Sequence, residues 1–394
     1  MVGPAGIKGL SYITHVKNLS SILQRGILSH ARIEREGIAY TPIYDRGIVA
    51  RRKGIVTPDG KSLWTFANLY FNARNPMLYR VIHERSLEDI AVVCIKPSIL
   101  ERPDIFITTG NARAALSRIL PQPGGLKMLP EIKRKVDIVW WKQEDGSKRE
   151  IMAECLVPDV VGPEYIEAVY VASHKIADKV AAMLRPRKVR VIPEPNLFFQ
   201  PRWRRGLTRH LTLVDGDMFF SRMQTLTISV NTVGVMGKGL ASRTKYQFPD
   251  VYVKYQDVCR SKQLRMGKPY LFKREAMVDY ELADEPLSLP RPNAEKWFLL
   301  FATKRHWREK SDLAGIKEGL RWIQQNYRKE GIQSLAVPAL GCGLGWLEWR
   351  DVGPVLCQHL AALDIDVAIY LPRESRVPEE QLTRRFLLGG SPSG

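Results

Sequence analysis

The chain has 394 residues, 45% of them apolar and 26% charged, with a formal net charge of +19. That length and composition suit a soluble protein of two domains. No apolar run nears the roughly 18 residues of a membrane span, no secretory leader is legible, and five scattered cysteines offer neither a disulfide framework nor metal-ligand spacing; a cytoplasmic protein without membrane partner or metal is expected.

Charge is distributed unevenly. Residues 1–206 carry +13 of the excess. A basic half of that size suits a polyanionic partner, most simply nucleic acid, or else a solubilising surface. From Leu10 to about Val191 strand-like and helix-like segments follow one another without a repeat. Within them "IMAECLV" reads as a strand, and its Glu154 either emerges at a site or lies on the exposed face. Residues 192–209, "IPEPNLFFQPRWRRGLTR", hold three prolines and read as a linker. Trp203, among arginines, either grips nucleic acid there or docks on a neighbouring domain.

The second half alternates. "LTLVDGD" and "TLTISVNT" read as strands, and "LASRTKYQFPDVYVKYQDVCRS" as a helix interrupted at Pro249. "KPYLFKRE" and "KWFLLFAT" are strand-like. "SDLAGIKEGLRWIQQNYRKEG" is a helix that Ser311 can cap, with an apolar stripe of Leu313, Ile316, Leu320 and Ile323 and a stop at Gly331. A short strand "SLAVPAL", a helix "EWRDVGPVLCQHLAAL" and a last strand "DVAIYLP" follow. The tail "GGSPSG" reads as disordered. Such alternation predicts an α/β domain with a mixed sheet, whose ligands sit beyond the carboxyl ends of the strands.

Two glycine loops each lie between a strand and a helix. "VNTVGVMGKGLA" holds Gly234, Gly237 and Gly239; "VPALGCGLGWLEW" holds Gly341, Gly343 and Gly345. Glycines allow backbone N–H groups to approach a phosphate at a helix N-terminus, although two tight turns without a ligand would read alike. Neither loop has the Walker spacing. Lys304 ends a strand beside Arg305 and Arg308. A desolvated lysine there has a lowered pKa and can act as a nucleophile; the alternative is a phosphate-pairing lysine.

Over residues 210–373 these motifs resemble the macrodomain family, which binds ADP-ribose. The resemblance implies that Asp217 of "DGDMFF", followed by Met218, meets the adenine. It puts Asn231 near the distal ribose, with Gly237, Lys238 and Gly239 in the first loop. Gly341, Cys342, Gly343, Leu344 and Gly345 then form the diphosphate loop. "MGKGLA" and "FATKRHWREKS" are most similar to the DarG antitoxin branch and the terminal ADP-ribose glycohydrolases, which makes Lys304 catalytic. Some relatives carry an acid where this chain has Gly345, so the general acid is unassigned, with Glu348 as substitute.

The first half resembles DarT, a DNA-directed ADP-ribosyltransferase using NAD. The matching pieces run in order over residues 8–195: "YITHVKNLSSIL", "GIAYTPIYDRGIVARR", "ANLYFNARNPMLYRV", "IFITTGNARAAL" and "AECLVP". The resemblance implies an α+β ADP-ribosyltransferase-like domain with Glu154 and Arg52 catalytic. Thr14, His15, Asn18, Tyr70 and Met77 would contact NAD, and Arg51, Arg74 and Asn111 would contact DNA. The family's "YHITH" is "SYITH" here, so Tyr12 replaces a histidine. The expected layout is a transferase domain 1–191, linker 192–209, macrodomain 210–375 and tail 376–394. The expected function is ADP-ribosylation of thymidine in single-stranded DNA, reversed by the macrodomain, in a single-chain toxin–antitoxin whose two domains also touch. The alternatives are a non-catalytic nucleic-acid binder with an ADP-ribose-reading module, and an RNA 2′-phosphotransferase-like first domain.

Overall fold

The structure is a computed structural model that describes residues 3–44, 47, 50–290 and 295–389. It divides into two compact units, Met1–Phe199 with Asp279–Pro292, and Gln200–Val278 with Asn293–Gly394.

The strands of the first unit are β1 (Leu10–His15), β2 (Ile27–Leu28), β3 (Phe66–Tyr70), β4 (Ile90–Ile95), β5 (Phe106–Thr108), β6 (Ile119–Pro121), β7 (Glu154–Pro158), β8 (Val160–Val161), β9 (Ile166–Val171) and β10 (Arg190–Pro193). Eight of them form one sheet in the order β10-β9-β4-β1-β3-β7-β5-β6, and β2 pairs with β8. Only the β9–β10 pair of that sheet is parallel; the antiparallel remainder with helices around it is the α+β layout expected of this half. Strand β4 is an apolar run, "IAVVCI", buried at every position but Cys94, as a strand covered on both faces must be. On the neighbouring helix Pro76–Glu84, Asn75 accepts from the N–H of Leu78 as N-cap, and a proline takes the first helical position, where its missing N–H costs nothing.

The second unit holds β11 (Trp203–Gly206), β12 (Leu211–Asp215), β13 (Thr225–Asn231), β14 (Tyr270–Phe272), β15 (Trp297–Lys304), β16 (Ser334–Pro338) and β17 (Asp366–Tyr370). Their order is β11-β12-β17-β16-β13-β15-β14. The central five run parallel, while β11 and β14 are antiparallel edges. This is the mixed sheet of an α/β domain. Because the five central strands share a direction, their carboxyl ends, and the loops after them, gather at one edge.

Local chemistry departs from expectation at four places. The helix Leu313–Glu330 is capped by Asp312, whose carboxylate accepts from Ala314 N–H; Ser311 lies one residue too early. Residues 192–209 are not a loose linker. They complete β10, form a 3-10 turn at Pro195–Phe198 and supply β11, where Trp203 packs against the second core. Residues after 375 are not a tail throughout, because Glu379–Leu382 and Arg384–Leu388 are helical and bury Leu382 and Leu387. The disordered reading of "GGSPSG" falls almost entirely outside the described residues. Finally, Asp279–Pro292, expected within the macrodomain, packs in the first unit, anchored by fully buried Leu282 and Ala283. Pro249 behaves as its missing N–H requires, dividing two helices, Gly239–Gln247 and Pro249–Arg260.

The second core sets a tight tolerance. Gly319 of the helix Leu313–Glu330 faces Phe301 of β15, and a Cβ there would come within 2.4 Å of the ring. Gly319→Val is expected to destabilise the second unit by about 1–3 kcal/mol through overpacking, read as a lower urea midpoint for its unfolding.

Candidate active sites

In the first unit a cavity opens where β3 ends, opposite the start of β7. Tyr70, last residue of β3, pairs with Glu154, first residue of β7. Glu154 is fully buried, so the exposed-face reading of "IMAECLV" fails. An isolated carboxylate cannot stay charged in such a place. Here three donors surround it: Arg52 Nη2 at 2.9 Å and Nη1 at 3.4 Å, and the N–H of Ala112 at 2.9 Å. Its own N–H donates to Thr108 Oγ1 at 2.8 Å, and that hydroxyl donates to Gly110 O.

Arg52 stands on a short 3-10 turn, Arg51–Gly54. Burial works against its charge, but the charge and hydrogen bonds of Glu154 more than offset this and hold its pKa above the ordinary value. The Tyr70 hydroxyl donates to Met77 Sδ at 3.3 Å, and burial followed by the Glu154 charge pushes its pKa up. Tyr12 lines the same cavity and is pushed up to about 12, chiefly by burial. Both phenols therefore remain neutral donors. Across the cavity His30 stacks on Trp64, with ring centroids 4.4 Å apart, and its Nε2 lies 3.1 Å from the Tyr44 hydroxyl. Burial, then the Arg52 charge, push His30 down to about 4, so it is a neutral, stackable ring at neutral pH.

The other expected residues divide. Asn111 and Met77 line the cavity with Glu154's partner Arg52. Thr14 and Asn18 are joined by a 3.2 Å hydrogen bond, and Asn18 also pins Thr41 through two backbone bonds. His15 caps the turn Val16–Asn18 and lies 3.7 Å from Asp89, a structural role. Arg51 is exposed on the turn beside Arg52. Arg74 is partly buried, and its guanidinium donates to Asn196 O and Val139 O and lies over the Phe199 ring. Sequence reasoning overlooked Arg80, Arg113, His30 and Asp284, which also line the cavity. Arg80 sits in an ordinary amphipathic helix and Asp284 lies some 130 residues from Glu154 in the chain, so neither carried a local signal.

In the second unit every expected residue lies on the carboxyl edge of the sheet. Asn231 ends β13 and pairs with Lys304 at the end of β15. The Asn231 carboxamide is engaged with its own loop, accepting from Val233 N–H and Tyr255 Oη and donating to Val235 O. Gly234 (φ +79°) and Gly239 (φ +62°) hold left-handed turns there, while Gly237 and Lys238 are exposed. Asp217 follows β12. Its Oδ1 accepts from Phe219 N–H and its Oδ2 from Arg243 at 2.8 Å, beside buried Met218. After β16, Gly341 and Gly343 adopt positive φ, and so does Trp346 at +63°, against its steric preference. Cys342 and Leu344 lie between these glycines. At Gly345 a Cβ would come within 2.3 Å of Ser311 Oγ, so Ser311 would have to rotate to make room.

Lys304 joins the loops. Its Nζ donates to Glu309 O at 2.9 Å and Leu344 O at 3.1 Å, and burial lowers its pKa. The two carbonyls hold the amine between the two loops. Glu348 is an exposed ion-pair partner of Arg350 at 2.9 Å, an unpromising general acid.

Residues 11–199 match the family described as ssDNA thymidine ADP-ribosyltransferase, DarT. Over 380 residues the chain is 55% identical to a DNA ADP-ribosyl transferase–DNA ADP-ribosyl glycohydrolase fusion protein of Thermosipho africanus, across 96% of this chain and 98% of that one. The chain belongs to this family of fused enzymes. The fusion resembles the structure of Thermosipho africanus DarTG in complex with ADP-ribose, with a TM-score of 0.90 and 54% identity over 96% of this chain and 99% of that one. Its macrodomain is also 34% identical, over 166 residues and 42% of each chain, to a DNA ADP-ribosyl glycohydrolase of Thermus aquaticus. The fusion thus joins a thymidine ADP-ribosyltransferase for single-stranded DNA to the glycohydrolase that reverses it, toxin and antitoxin in one chain.

The hydroxyl under Glu154 offers a check on the first site. Thr108→Val keeps the shape but leaves the buried Glu154 N–H and Gly110 C=O without their partner. A loss of about 1–3 kcal/mol per unsatisfied group is expected, measured as a lowered unfolding midpoint of the first unit.

Proposed function

We propose that Glu154 and Arg52 carry the transfer, that Lys304 carries the reversal, and that residues 1–199 and 200–389, apart from the segment 279–290, are the respective catalytic units. The observation that carries this reading is the fully buried Glu154 carboxylate, bonded to the Ala112 N–H and to Arg52, which lines a cavity.

NAD is the co-substrate of the first site and supplies the ADP-ribosyl group. Heterolysis of its nicotinamide–ribose bond leaves positive charge on C1″ and releases neutral nicotinamide. Glu154 is placed to stabilise that charge in a low-dielectric site, where a fixed anion acts strongly. It is also placed to take the proton from N3 of thymine, the base's one ring N–H, as N3 bonds to C1″. The sum is NAD and thymidine giving ADP-ribosyl-thymidine, nicotinamide and a proton. Arg52 positions Glu154 and offers its guanidinium to a phosphate oxygen. Thr14, Asn18, Tyr70 and Met77 shape the NAD side, while Asn111 and Arg51 face the DNA. N3 is hidden by pairing in a duplex, which restricts the site to unpaired or extruded thymine.

In the second unit ADP-ribose would lie on the carboxyl edge, with adenine by Asp217 and Met218 and the distal ribose by Asn231. The diphosphate would lie between Gly237–Gly239 and Gly341–Gly345. The Lys304 lone pair attacks C1″, the C1″–N3 bond breaks, and the base leaves with a proton. Water then hydrolyses the lysine adduct, restoring the amine and releasing ADP-ribose.

Three measurements test these assignments. Incubated with NAD and a thymidine oligonucleotide, Glu154→Gln should lose the ADP-ribosyl mass gain by a factor of about 10² or more. Lys304→Ala should accumulate the adduct and still bind ADP-ribose by calorimetry; full release activity in that variant would refute the assignment. The release rate should climb with pH through an apparent pKa below that of an ordinary lysine, because burial depresses Lys304 and only its neutral form is nucleophilic. A flat profile would count against it.

A further inference from the structure

Residues 276–290, "AMVDYELADEPLSLP", hold four acids and no lysine or arginine, in a chain of net charge +19. In sequence they lie between β14 and β15, yet from Asp279 onward they pack in the first unit. The segment has two parts. Its anchor is buried: Asp279 accepts from Tyr79 Oη at 2.6 Å, Leu282 O accepts from Trp141 Nε1 at 2.9 Å, and Leu282 and Ala283 are fully enclosed. Its tip is partly exposed and reaches the transferase cavity. There Asp284 Oδ1 accepts from Arg80 Nε at 2.7 Å, and Glu285 Oε1 accepts from Arg113 Nη2 at 2.5 Å.

The two arginines are unusual hosts. Arg80 is 2% exposed, and Arg113 keeps a buried Nη1 with no protein partner. Both line the cavity together with Arg52. Arg80 also donates from Nη1 to Glu84 Oε2 at 2.7 Å, and Arg113 is 27% exposed; guanidiniums that line a site handling phosphates suit oxyanion recognition. A carboxylate is the closest protein substitute for a phosphate oxygen pair.

Resting on the transferase assignment, we infer that Arg80 and Arg113 form a phosphate subsite of the transferase, and that Asp284 and Glu285 fill it as an internal competitor. The phosphate belongs either to NAD or to the DNA backbone; the chemistry recognised is the same. Writing therefore requires the tip, residues 284–288, to yield while the anchor stays docked. The Ser288 hydroxyl, which donates to Glu84 and to Glu285 O, latches the tip. The antitoxin half of the sequence thus carries a brake on the toxin half, separate from its glycohydrolase.

The test uses the full chain in a Lys304→Ala background, so that product is not erased. Removing both charges (Asp284→Asn with Glu285→Gln) should raise kcat/KM for transfer by about fivefold or more, the lower end of usual coupling between sites. A fall in the KM for NAD identifies the NAD diphosphate as the displaced partner; a fall in the KM for the oligonucleotide identifies the DNA. Labelling by the Lys304→Ala parent separately establishes the transferase assignment. Labelling that is equal or weaker in the double variant overturns the brake alone. Hydrogen exchange in the unsubstituted chain gives a second readout that does not depend on how the variant folds. Amides at 284–288 should exchange faster when NAD or oligonucleotide is added, with 279–283 unchanged. No acceleration with either ligand would also overturn the inference.

Discussion

The first unit is built around a carboxylate paired with an arginine where water cannot reach it. Glu154 is surrounded by protein, and Arg52 and the Ala112 N–H donate to it. Removing two charges from water costs several kcal/mol each, and only good geometry repays it. The surrounding strands, turn and loop can be understood as meeting that geometry. Strand β7 presents Glu154 at its first residue, β3 places Tyr70 opposite, Thr108 receives the Glu154 N–H, and the turn at Arg51–Gly54 brings the guanidinium in from above. If the proposed transfer runs here, a site prepared in this way need not reorganise as charge develops on the sugar, which is where preorganised electrostatics gain over water.

The glycohydrolase half solves a different problem by direction. Five parallel strands bring Asp217, Asn231, Lys304 and the Gly341–Gly345 loop to one edge, though they are spread over more than 120 residues of chain. The amine is tuned by partial burial and oriented by two carbonyls, one from each loop that meets there. On the assignments proposed above, one half would use an anion to favour a cationic sugar and the other a nucleophile to discharge it, with no shared residue.

Much of this was legible before folding. The glycine loops, the strand-ending lysine and the alternation of strands and helices placed the macrodomain edge, because ligand position in an α/β sheet follows from strand order and direction. "YFNARNPMLY" and "AECLV" carried the resemblance to the transferase. Short-range chemistry was less secure. The cap of the helix Leu313–Glu330 fell to Asp312 rather than Ser311, since either side chain has the right chemistry and only backbone geometry separates them. Arg74 read as a surface cation, yet it braces Asn196 and Val139.

By itself the sequence determined the family of each half and their order along the chain, because motifs such as "YFNARNPMLY" and "MGKGLA" are local and carry the resemblance. Only the tertiary structure decided which arginines face the transferase cavity and what occupies them. Arg80, Arg113, Asp284 and Glu285 are spread over some 200 positions, and no local pattern links them. Their pairing depends on an acidic segment that lies between β14 and β15 in sequence yet packs in the first unit, with Leu282 and Ala283 buried there, a long-range choice that periodicity does not encode.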